Sequence, residues 1–353
     1  MVLGSYKNYM KICFFGNYIS DYSRVKVLRK GFQQNDVEIF ECHTRKTGLK
    51  KYLDLYNQHK KIRNKYDVIL VMMGGQTLVW FAKLLTKKKL IFDAFTSLYL
   101  TNIEDRKTCT PESFKAKYYA WLDKASCKKA DKVLLDTDAQ IQYFIDKYKL
   151  DKDKFIRVFV SSDNECNLEK EKNNKFIIHW HGYIVPLYSL ETVIKSAKIL
   201  EKYEDIEFQI VTRFNSKYEK IKELTEKLEL KNIKFYPETD YEGVAKFVNK
   251  ADVCLGIFGN NKKAQVVIPN KVYEAIICAK PVITANHKVI DEVFTNEDNI
   301  LTVLPEDEKD LANKILKLKD NSDLRYRIGQ SAHTLHINNL KPKQIVKELI
   351  TKI

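Results

Sequence analysis

The sequence predicts two α/β domains, each built on a doubly wound sheet of parallel strands. Three observations support this prediction. The chain has 353 residues, and domains average about 150 residues, so two domains are expected. Short β-rich apolar runs recur from end to end, and amphipathic helical stretches separate them. The runs are continuously apolar, which is typical of parallel strands covered by helices on both faces.

The first half contains six strand candidates. Helical patterns fill the gaps between them, and the clearest helix covers residues 113–129. The strand candidates are residues 10–16, 37–42, 67–73, 89–94, 132–137 and 155–160. Ligands in such sheets bind beyond the carboxyl ends of the strands, so the loops after these strands are the expected place for chemistry.

A polar stretch over residues 161–174 lacks apolar periodicity and is the predicted linker. The alternation then restarts. The predicted strands are residues 175–182, 206–212, 233–237, 253–258, 281–285 and 300–305, and the predicted helices lie near 189–203, 216–229, 307–319, 321–336 and 343–352.

The composition excludes wholesale disorder, because 44% of the residues are hydrophobic. The formal net charge is +15, which suggests an anionic partner: nucleic acid, a membrane surface or a phosphorylated ligand. Only nine of the 61 basic residues are arginine. Proteins that read nucleic-acid bases depend on arginine for bidentate contacts, so the charge is better explained by lysines spread over solvated helix faces.

The N-terminal residues show no long apolar stretch or cleavage pattern, so no signal peptide is predicted. The longest apolar runs, residues 68–73 and 253–258, are far shorter than the roughly 20 residues that span a bilayer. The seven cysteines are widely spaced and include no CxxC pair, which indicates neither disulfides nor a zinc site. A reducing cytoplasm is the expected location.

Residues 251–285 contain the most informative segment. A buried strand ends near Gly259, a basic loop follows, and Pro269 stands where a helix is expected to begin. Lys271 and Glu274 fall in or near the first turn of that helix. Backbone N–H groups and lysines gathered at a helix start predict an anion site, and a carboxylate there suits a pair of vicinal hydroxyls.

This segment resembles the donor-binding string of retaining GT-B-fold glycosyltransferases of the family-4 type, the glycosyl transferases group 1. In that family the string runs roughly P-x-K-x-x-E-A-x-x-x-x-K-P-V-I-T. The matching residues here are Pro269, Lys271, Glu274, Ala275, Lys280, Pro281, Val282, Ile283 and Thr284. Residues 181–200 also resemble the glycine-containing turn and first helix of the family's donor domain. The likeness covers about residues 175–335 well and the first half weakly.

The resemblance implies a GT-B architecture, with two Rossmann-like domains whose sheets face a central cleft. The acceptor domain would span residues 1–165 and the donor domain residues 170–338. A C-terminal helix over residues 340–353 would pack back on the first domain. Glu274 would hold the ribose of a nucleotide sugar, and the backbone at Gly182 would approach its diphosphate.

Two departures from the family pattern affect the donor site. Val266 stands where many members carry a second glutamate near the transferred sugar. The loop over residues 183–189 lacks the basic residues that often hold the diphosphate. The remaining candidates for that charge are, in order, Lys271, Lys263, Lys262 and Arg213, and Gly259, Pro269 and Asn270 complete the predicted donor site.

The resemblance also implies a reaction with retention of configuration, with a UDP- or GDP-sugar as donor and no required cofactor or metal. The acceptor would be a glycan or a lipid-linked glycan. Lys271, Glu274 and His181 are the catalytic candidates. His179 and His181 flank Trp180 and point to one face of a strand. A metal pair is conceivable there, but no third ligand is apparent, and a supporting role is favoured.

In the first half, Gly16 and Asn17 follow the first strand, and Asp93 and Ser97 follow another. These four residues are the candidates for the acceptor side. The sequence Asp-Thr-Asp at residues 136–138 matches the DxD pattern with which a different glycosyltransferase fold binds metal. A helix cap is the favoured interpretation, because the donor string lies in the other half.

Three alternatives remain open. A GT-B-fold sugar-nucleotide epimerase would share the ribose site and need no acceptor. A non-enzymatic, basic two-domain protein could bind ligands or nucleic acid, although no arginine-rich stripe supports this. A glycosyltransferase could also contact an anionic membrane peripherally through lysine-rich helices at residues 50–65 and 115–129. The main prediction includes this peripheral contact and no nucleic acid.

Overall fold

The structure is a computed structural model that describes residues 10–163, 166 and 173–353. These residues form two compact units. The first unit comprises the described residues up to Tyr99, Cys109–Phe159 and Lys341–Ile353. The second unit comprises Leu100–Thr108 and the described part of Val160–Leu340. Most of the predicted linker, residues 161–174, lies outside the described residues, as does the N-terminal segment in which no signal peptide was expected.

The first unit contains a six-stranded parallel sheet in the order β2-β1-β3-β4-β5-β6. Each strand predicted in the first half is present. The strands are β1 (Lys11–Gly16), β2 (Glu38–His43), β3 (Val68–Val71), β4 (Lys89–Phe95), β5 (Lys132–Leu135) and β6 (Phe155–Arg157). Strand β3 is wholly buried, and β1, β4 and β5 are buried except at their ends, because helices cover both faces of the sheet.

Five helices connect these strands: α1 (Ser23–Gln33), α2 (Lys50–Ile62), α3 (Gln76–Leu85), α4 (Phe114–Lys129) and α5 (Asp138–Tyr148). Thr137 caps α5, since its side chain accepts a hydrogen bond from the Gln140 backbone N–H at 3.0 Å. Asp138 pairs with Arg157. The Asp-Thr-Asp sequence is therefore a helix start, as favoured from the sequence.

The second unit contains another six-stranded parallel sheet, in the order β12-β11-β10-β7-β8-β9. Its strands also correspond to the predicted ones. They are β7 (Phe176–His181), β8 (Ile206–Thr212), β9 (Ile233–Pro237), β10 (Val253–Leu255), β11 (Val282–Ala285) and β12 (Leu301–Val303).

Helices again cover this sheet: α6 (Leu190–Leu200), α7 (Ser216–Lys227), α8 (Tyr241–Lys250), α9 (Asn270–Ile277), α10 (Glu308–Asp320) and α11 (Ser322–Leu335). A six-residue π-helix, Leu100–Asp105, also belongs to the second unit. This assignment differs from the predicted boundaries, which placed all of residues 1–165 in the first domain. The two parallel sheets with flanking helices form an α/β fold, as predicted.

The last helix, α12 (Pro342–Ile350), packs on α1 within the first unit. Gly31 makes this packing possible. A Cβ at that position would lie 2.4 Å from the Pro342 carbonyl oxygen and 2.4 Å from Val346 Cγ2. Any larger side chain would therefore force α1 and α12 apart.

A disulfide joins Cys166 to Cys278 across 112 residues of sequence, and both belong to the second unit. The expectation of no disulfide was wrong for this pair. The cysteine spacing gave no signal because the fold, rather than the sequence, brings the two Cα atoms to 5.2 Å. The other five cysteines are free thiols.

Candidate functional site

The candidate site lies at the carboxyl ends of β7 and β10 in the second unit. The sheet runs from β7 through β8 to β9 on one side and to β10 on the other. The connections leaving β7 and β10 therefore diverge and open a crevice, which is where α/β sheets bind ligands. Gly182 follows β7 and Gly256 follows β10, so both glycines stand at this switch point.

Helix α9 brings two charged side chains to the end of β7. The helix begins at Asn270 after Pro269, and no side chain caps it. Lys271 and Glu274 lie one turn apart, so they project from the same face. The Lys271 amine lies beside Gly182, and Glu274 contacts His181. The expected helix start and the position of both residues near its first turn are confirmed.

The backbone at Gly182 is open toward the Lys271 amine. The φ angle of Gly182 is +140°, a conformation that residues with a side chain rarely adopt. A Cβ there would lie 3.2 Å from Lys271 Nζ and 3.3 Å from the Tyr188 ring. Glycine at this position therefore leaves the backbone accessible next to a buried cation.

The Lys271 amine is buried and has no hydrogen-bond partner among the described residues. It lies 3.9 Å from the centre of the Trp180 ring and 3.8 Å from that of Tyr188. Burial lowers the pKa of Lys271 well below its usual range, and the Glu274 carboxylate opposes this shift. The two ring faces also favour the ammonium form. A buried amine without a hydrogen-bond partner is expected to bind an anion.

A chain of hydrogen bonds links Glu274 to two histidines of β7. His181 Nε2 lies 2.7 Å from Glu274 Oε2, and His179 Nε2 lies 2.9 Å from His181 Nδ1. An ionised carboxylate only accepts hydrogen bonds, so His181 donates through Nε2. Its Nδ1 then accepts from His179 Nε2–H. The chain holds the Glu274 side chain in one orientation through Oε2.

His179 is fixed at the inner end of this chain. Its ring stacks on Phe247 at 6.0 Å with an interplanar angle of 7°. Burial lowers the pKa of His179 well below its usual value, and His181 and Lys271 lower it further. His179 is therefore a neutral donor that orients His181. Among the described residues no cluster of three or more histidine, cysteine, aspartate or glutamate side chains could hold a metal.

The loops after β7 and β10 pack directly on each other. The Gly259 N–H donates to the Leu187 carbonyl at 3.1 Å, and a Cβ on Gly259 would lie 2.4 Å from the Pro186 oxygen. His287 hydrogen-bonds the Gly259 carbonyl through Nε2 at 2.8 Å. Gly259 therefore fixes the loop over residues 183–189 by close backbone approach.

Asp105 was not among the predicted site residues, although it is central to these loops. Its buried carboxylate accepts from the Leu187 N–H at 2.8 Å and from Asn261 Nδ2 at 2.9 Å. Lys263 Nζ lies 3.9 Å from its second oxygen. The π-helix Leu100–Asp105 thus ties both loops together. The partners are 82 and 156 residues away, so no local sequence pattern could have revealed them.

The other basic candidates for the diphosphate lie elsewhere. Lys263 donates to Thr101 Oγ1 at 3.1 Å and pairs with Asp105. Lys262 is exposed. Arg213 is more than half exposed, donates to Glu238 at 2.7 Å and lies over the Tyr183 ring. Among these four cations, Lys271 alone reaches the open backbone of Gly182.

The four acceptor-side candidates differ in accessibility within the first unit. Gly16 ends β1 with φ +147°, and Asn17 donates to the Lys46 carbonyl at 2.7 Å. Asp93 is fully buried and forms an ion pair with Arg24 at 2.8 Å. Ser97 is also fully buried, and its hydroxyl donates to Asp123 at 2.6 Å. These contacts tie β4 and the residues after it to α1 and α4, and neither side chain is exposed to solvent.

Residues 162–334 match the family model described as Glycosyl transferases group 1. An uncharacterized glycosyltransferase of Methanocaldococcus jannaschii is 22% identical over 280 residues, which are 76% of this chain and 69% of that protein. A second uncharacterized glycosyltransferase of the same organism is 24% identical over 221 residues, or 57% of this chain and 60% of that protein. The findings support a glycosyltransferase, an enzyme of the transferase class.

Solved structures show the same fold. HepE of Anabaena, in complex with UDP and glucose, superimposes with a TM-score of 0.72 at 14% identity, covering 98% of this chain and 100% of that chain. Sucrose-phosphate synthase of Thermosynechococcus elongatus gives a TM-score of 0.73 at 12% identity, covering 97% of this chain and 98% of that chain. The fold is therefore GT-B. The findings do not favour the epimerase or the nucleic-acid-binding alternative.

Proposed function

We propose that this glycosyltransferase transfers a sugar from a nucleotide-diphosphate donor, and that the diphosphate binds between Gly182 and Lys271. One observation carries this proposal. The buried Lys271 amine has no hydrogen-bond partner in the described part of the chain, and it faces backbone that only glycine leaves open. A buried cation without a partner is costly, so a site that keeps one is expected to bind an anion.

The nucleoside part is proposed to bind at Glu274. His181 occupies Oε2 of the carboxylate. Oε1 then remains available to accept hydrogen bonds from the vicinal hydroxyls of a ribose. In this role His181 orients Glu274 rather than acting on the sugar. HepE, which shares the fold, is complexed with UDP and with UDP-glucose, and a UDP- or GDP-sugar is the proposed donor.

The proposed chemistry depends on charge stabilisation at the leaving group. Negative charge grows on the β-phosphate as the glycosidic bond breaks. A cation and backbone N–H groups that are already in place stabilise this charge without rearranging during the reaction. Lys271 and the uncapped first turn of α9, including Asn270 after Pro269, would supply both. Retention of configuration and independence from a metal follow from the family resemblance and remain part of the proposal.

The remaining predicted residues are assigned supporting, outer or acceptor-side roles in this proposal. Gly259 shapes the donor loop, and Lys263 supports it through Asp105. Lys262 and Arg213 are proposed only as outer contacts of the donor, since both are exposed. Gly16 and Asn17 are the proposed acceptor contacts of the first unit. The acceptor class stays a glycan or a lipid-linked glycan.

A ligand screen with matched variants tests the donor site. Thermal unfolding of the wild type is measured with UDP, GDP, ADP and their glucose conjugates, and affinity for the stabilising nucleotide is then measured by calorimetry. Lys271→Met keeps an unbranched buried side chain and removes the charge. Loss of a charge-assisted hydrogen bond costs about 1.5–3 kcal/mol. We therefore expect roughly 10- to 150-fold weaker binding, and a similar loss for Glu274→Ala.

Lys227→Met is the matched control, because it makes the same chemical change at an exposed lysine, the last residue of α7, which has no part in the proposed site. Its affinity is expected to stay within about twofold of the wild type, as for most surface substitutions. Absence of stabilisation by every nucleotide would contradict the proposed donor. Equal losses for Lys271→Met and Lys227→Met would contradict the assigned site.

A further inference from the structure

The outer face of helices α3 and α4 carries large hydrophobic side chains that the first unit leaves in water. Phe114, Tyr118 and Trp121 of α4 are 85%, 43% and 57% exposed. Their spacing of four and three residues places them on one helical face. Trp80 and Leu84 of α3 are also four residues apart, and they are 47% and 80% exposed. Each of the two helices thus turns an apolar stripe toward solvent.

Helix α2 extends this surface. Leu49, which precedes its first turn, and Leu53 and Tyr56 are all exposed and again follow the spacing of one face. None of the three contributes to the core of the first unit. Eight of the fourteen large hydrophobic residues that are exposed in the described chain therefore lie on, or directly before, three helices that follow one another along the sequence.

The three helices lie side by side. The Tyr52 ring of α2 lies 5.1 Å from the Phe81 ring of α3. On the other side of α3, the Lys129 amine of α4 lies 4.5 Å from the Trp80 ring. Right-handed crossovers along β3, β4 and β5 place successive helices on the same face of the sheet. The exposed side chains thus lie on neighbouring helices that cover one face of the sheet, and we call this surface the α2–α4 face.

The charge on the α2–α4 face is strongly positive. The three helices contain ten lysines and only two acidic residues, Asp54 and Asp123. Asp54 is paired with Lys46, and Asp123 is buried beneath α4. Burial raises the pKa of the Asp123 carboxyl, and hydrogen bonds from Ser97, the backbone and Tyr148 oppose that shift. Lys83 is paired with Asp131, which follows α4. No acidic side chain of the three helices themselves offsets the other lysines at the surface.

We propose that the α2–α4 face docks on the surface of a lipid bilayer that contains anionic lipids. Scattered exposed hydrophobic residues are ordinary, but a contiguous group marks an interaction surface. Tryptophan, tyrosine and leucine between lysines suit the headgroup boundary, where rings and aliphatic chains enter the bilayer and ammonium groups remain with the phosphates. A protein partner fits this surface less well than a membrane, because lysine is depleted in protein–protein interfaces.

The docking is peripheral. No helix in the described residues is long and apolar enough to cross the bilayer. The side chains would enter only the headgroup region, so binding requires both the apolar stripes and the lysines. Because the α2–α4 face lies wholly in the first unit, this proposal does not depend on the donor chemistry proposed for the second unit.

The three tryptophans of the chain provide an internal probe. Trp80 and Trp121 are on the α2–α4 face, and Trp180 is fully buried in the second unit. Mixing the full chain with vesicles of phosphatidylcholine and phosphatidylglycerol is expected to shift the tryptophan emission to shorter wavelength. Brominated lipids should quench the two exposed tryptophans and spare Trp180. Pure phosphatidylcholine vesicles should bind at least about fivefold less protein, since each lysine near an anionic surface contributes to binding.

Variants distinguish vesicle binding by the α2–α4 face from non-specific adsorption of the protein. Phe114→Ser with Trp121→Ser is expected to lower the vesicle-bound fraction in sedimentation at least about fivefold, because insertion scales with buried apolar area. Leu304→Ser with Tyr326→Ser makes a comparable change at exposed residues of the second unit and should leave binding intact. Circular dichroism confirms that all variants are folded.

Equal vesicle binding by the two double variants would overturn the proposal, as would unchanged tryptophan emission on anionic vesicles. A dimer in analytical ultracentrifugation that Phe114→Ser with Trp121→Ser converts to a monomer would also overturn it. In that case a second copy of the chain, rather than a membrane, covers the α2–α4 face.

Discussion

The Lys271 amine lies where water cannot solvate its charged form, and three groups offset part of that cost. The Trp180 and Tyr188 rings favour the ammonium by cation–π contact, and the Glu274 carboxylate favours it by Coulomb attraction. These contacts do not restore the pKa of Lys271, which burial still lowers well below its usual range. An anion at Gly182 would raise that pKa again. Anion binding and protonation of Lys271 are therefore linked.

This linkage predicts proton uptake on donor binding. Above the lowered pKa of the free protein, part of the Lys271 population is neutral, and a bound diphosphate recharges it. Affinity for UDP-glucose should therefore fall as the pH rises through that range. Calorimetry in buffers of different ionisation enthalpy measures the uptake, since the diphosphate of a nucleotide sugar does not titrate near neutral pH. Lys271→Met should show no uptake. Identical pH dependence in the wild type and Lys271→Met would contradict the linkage.

At the residue scale, the sequence predicted the members of the site better than their contacts. The P-x-K-x-x-E string and its expected helix start identified Lys271 and Glu274, because both depend on local spacing. The hydrogen bond from His181 to Glu274 joins residues 93 positions apart, and Asp105 reaches its partners over 82 and 156 positions. Such contacts arise from the tertiary fold and leave no periodic signal.

At the element scale, the strands were predictable because each is a continuous apolar run buried on both faces. The ends of β10 show the limit of that pattern. Apolar residues continue to Phe258, but the strand ends at Leu255, directly before Gly256. A Cβ on Gly256 would lie 2.5 Å from Thr284 Oγ1, so packing against β11 determines this end. Hydrophobicity alone does not distinguish a buried loop from a strand.

Gly31 provides a test of helix packing in the first unit. An alanine in an exposed helix interior stabilises it relative to glycine by about 0.5–1 kcal/mol. Gly31→Ala should do the opposite and lower the free energy of unfolding by about 1–3 kcal/mol, because its methyl group overlaps Pro342 and Val346 of α12. Denaturant unfolding measures the change. Gln33→Ala, an exposed substitution on the same helix, is the control and should change stability by less than about 0.5 kcal/mol. A more stable Gly31→Ala would show that α12 does not pack closely on α1.

At the scale of the whole molecule, the net charge of +15 includes two sets of lysines for which we propose an anionic ligand. One lysine is enclosed at the candidate donor site, and ten lysines lie on the α2–α4 helices. The sequence could suggest an anionic partner but could not separate these lysines from the remainder. Burial distinguishes the two groups, since Lys271 is enclosed whereas the α2–α4 lysines accompany exposed aromatic side chains.

The disulfide between Cys166 and Cys278 is expected to stabilise the second unit by restricting its unfolded chain. Closing a loop of 112 residues contributes at most about 5 kcal/mol in the chain-entropy model, and about 2–4 kcal/mol is typical. Denaturant unfolding of the oxidised protein should therefore show a loss of this size in the free energy of unfolding for Cys278→Ser and none for Cys109→Ser, which changes a free thiol.

Dithiothreitol should reproduce the loss in the wild type and leave Cys278→Ser unaffected. Thiol titration of the unfolded, unreduced protein should count five groups, and a count of seven would show that the bond is absent. Because Cys278 directly follows α9, the same variant measures how far donor binding by Lys271 and Glu274 depends on anchoring the end of their helix.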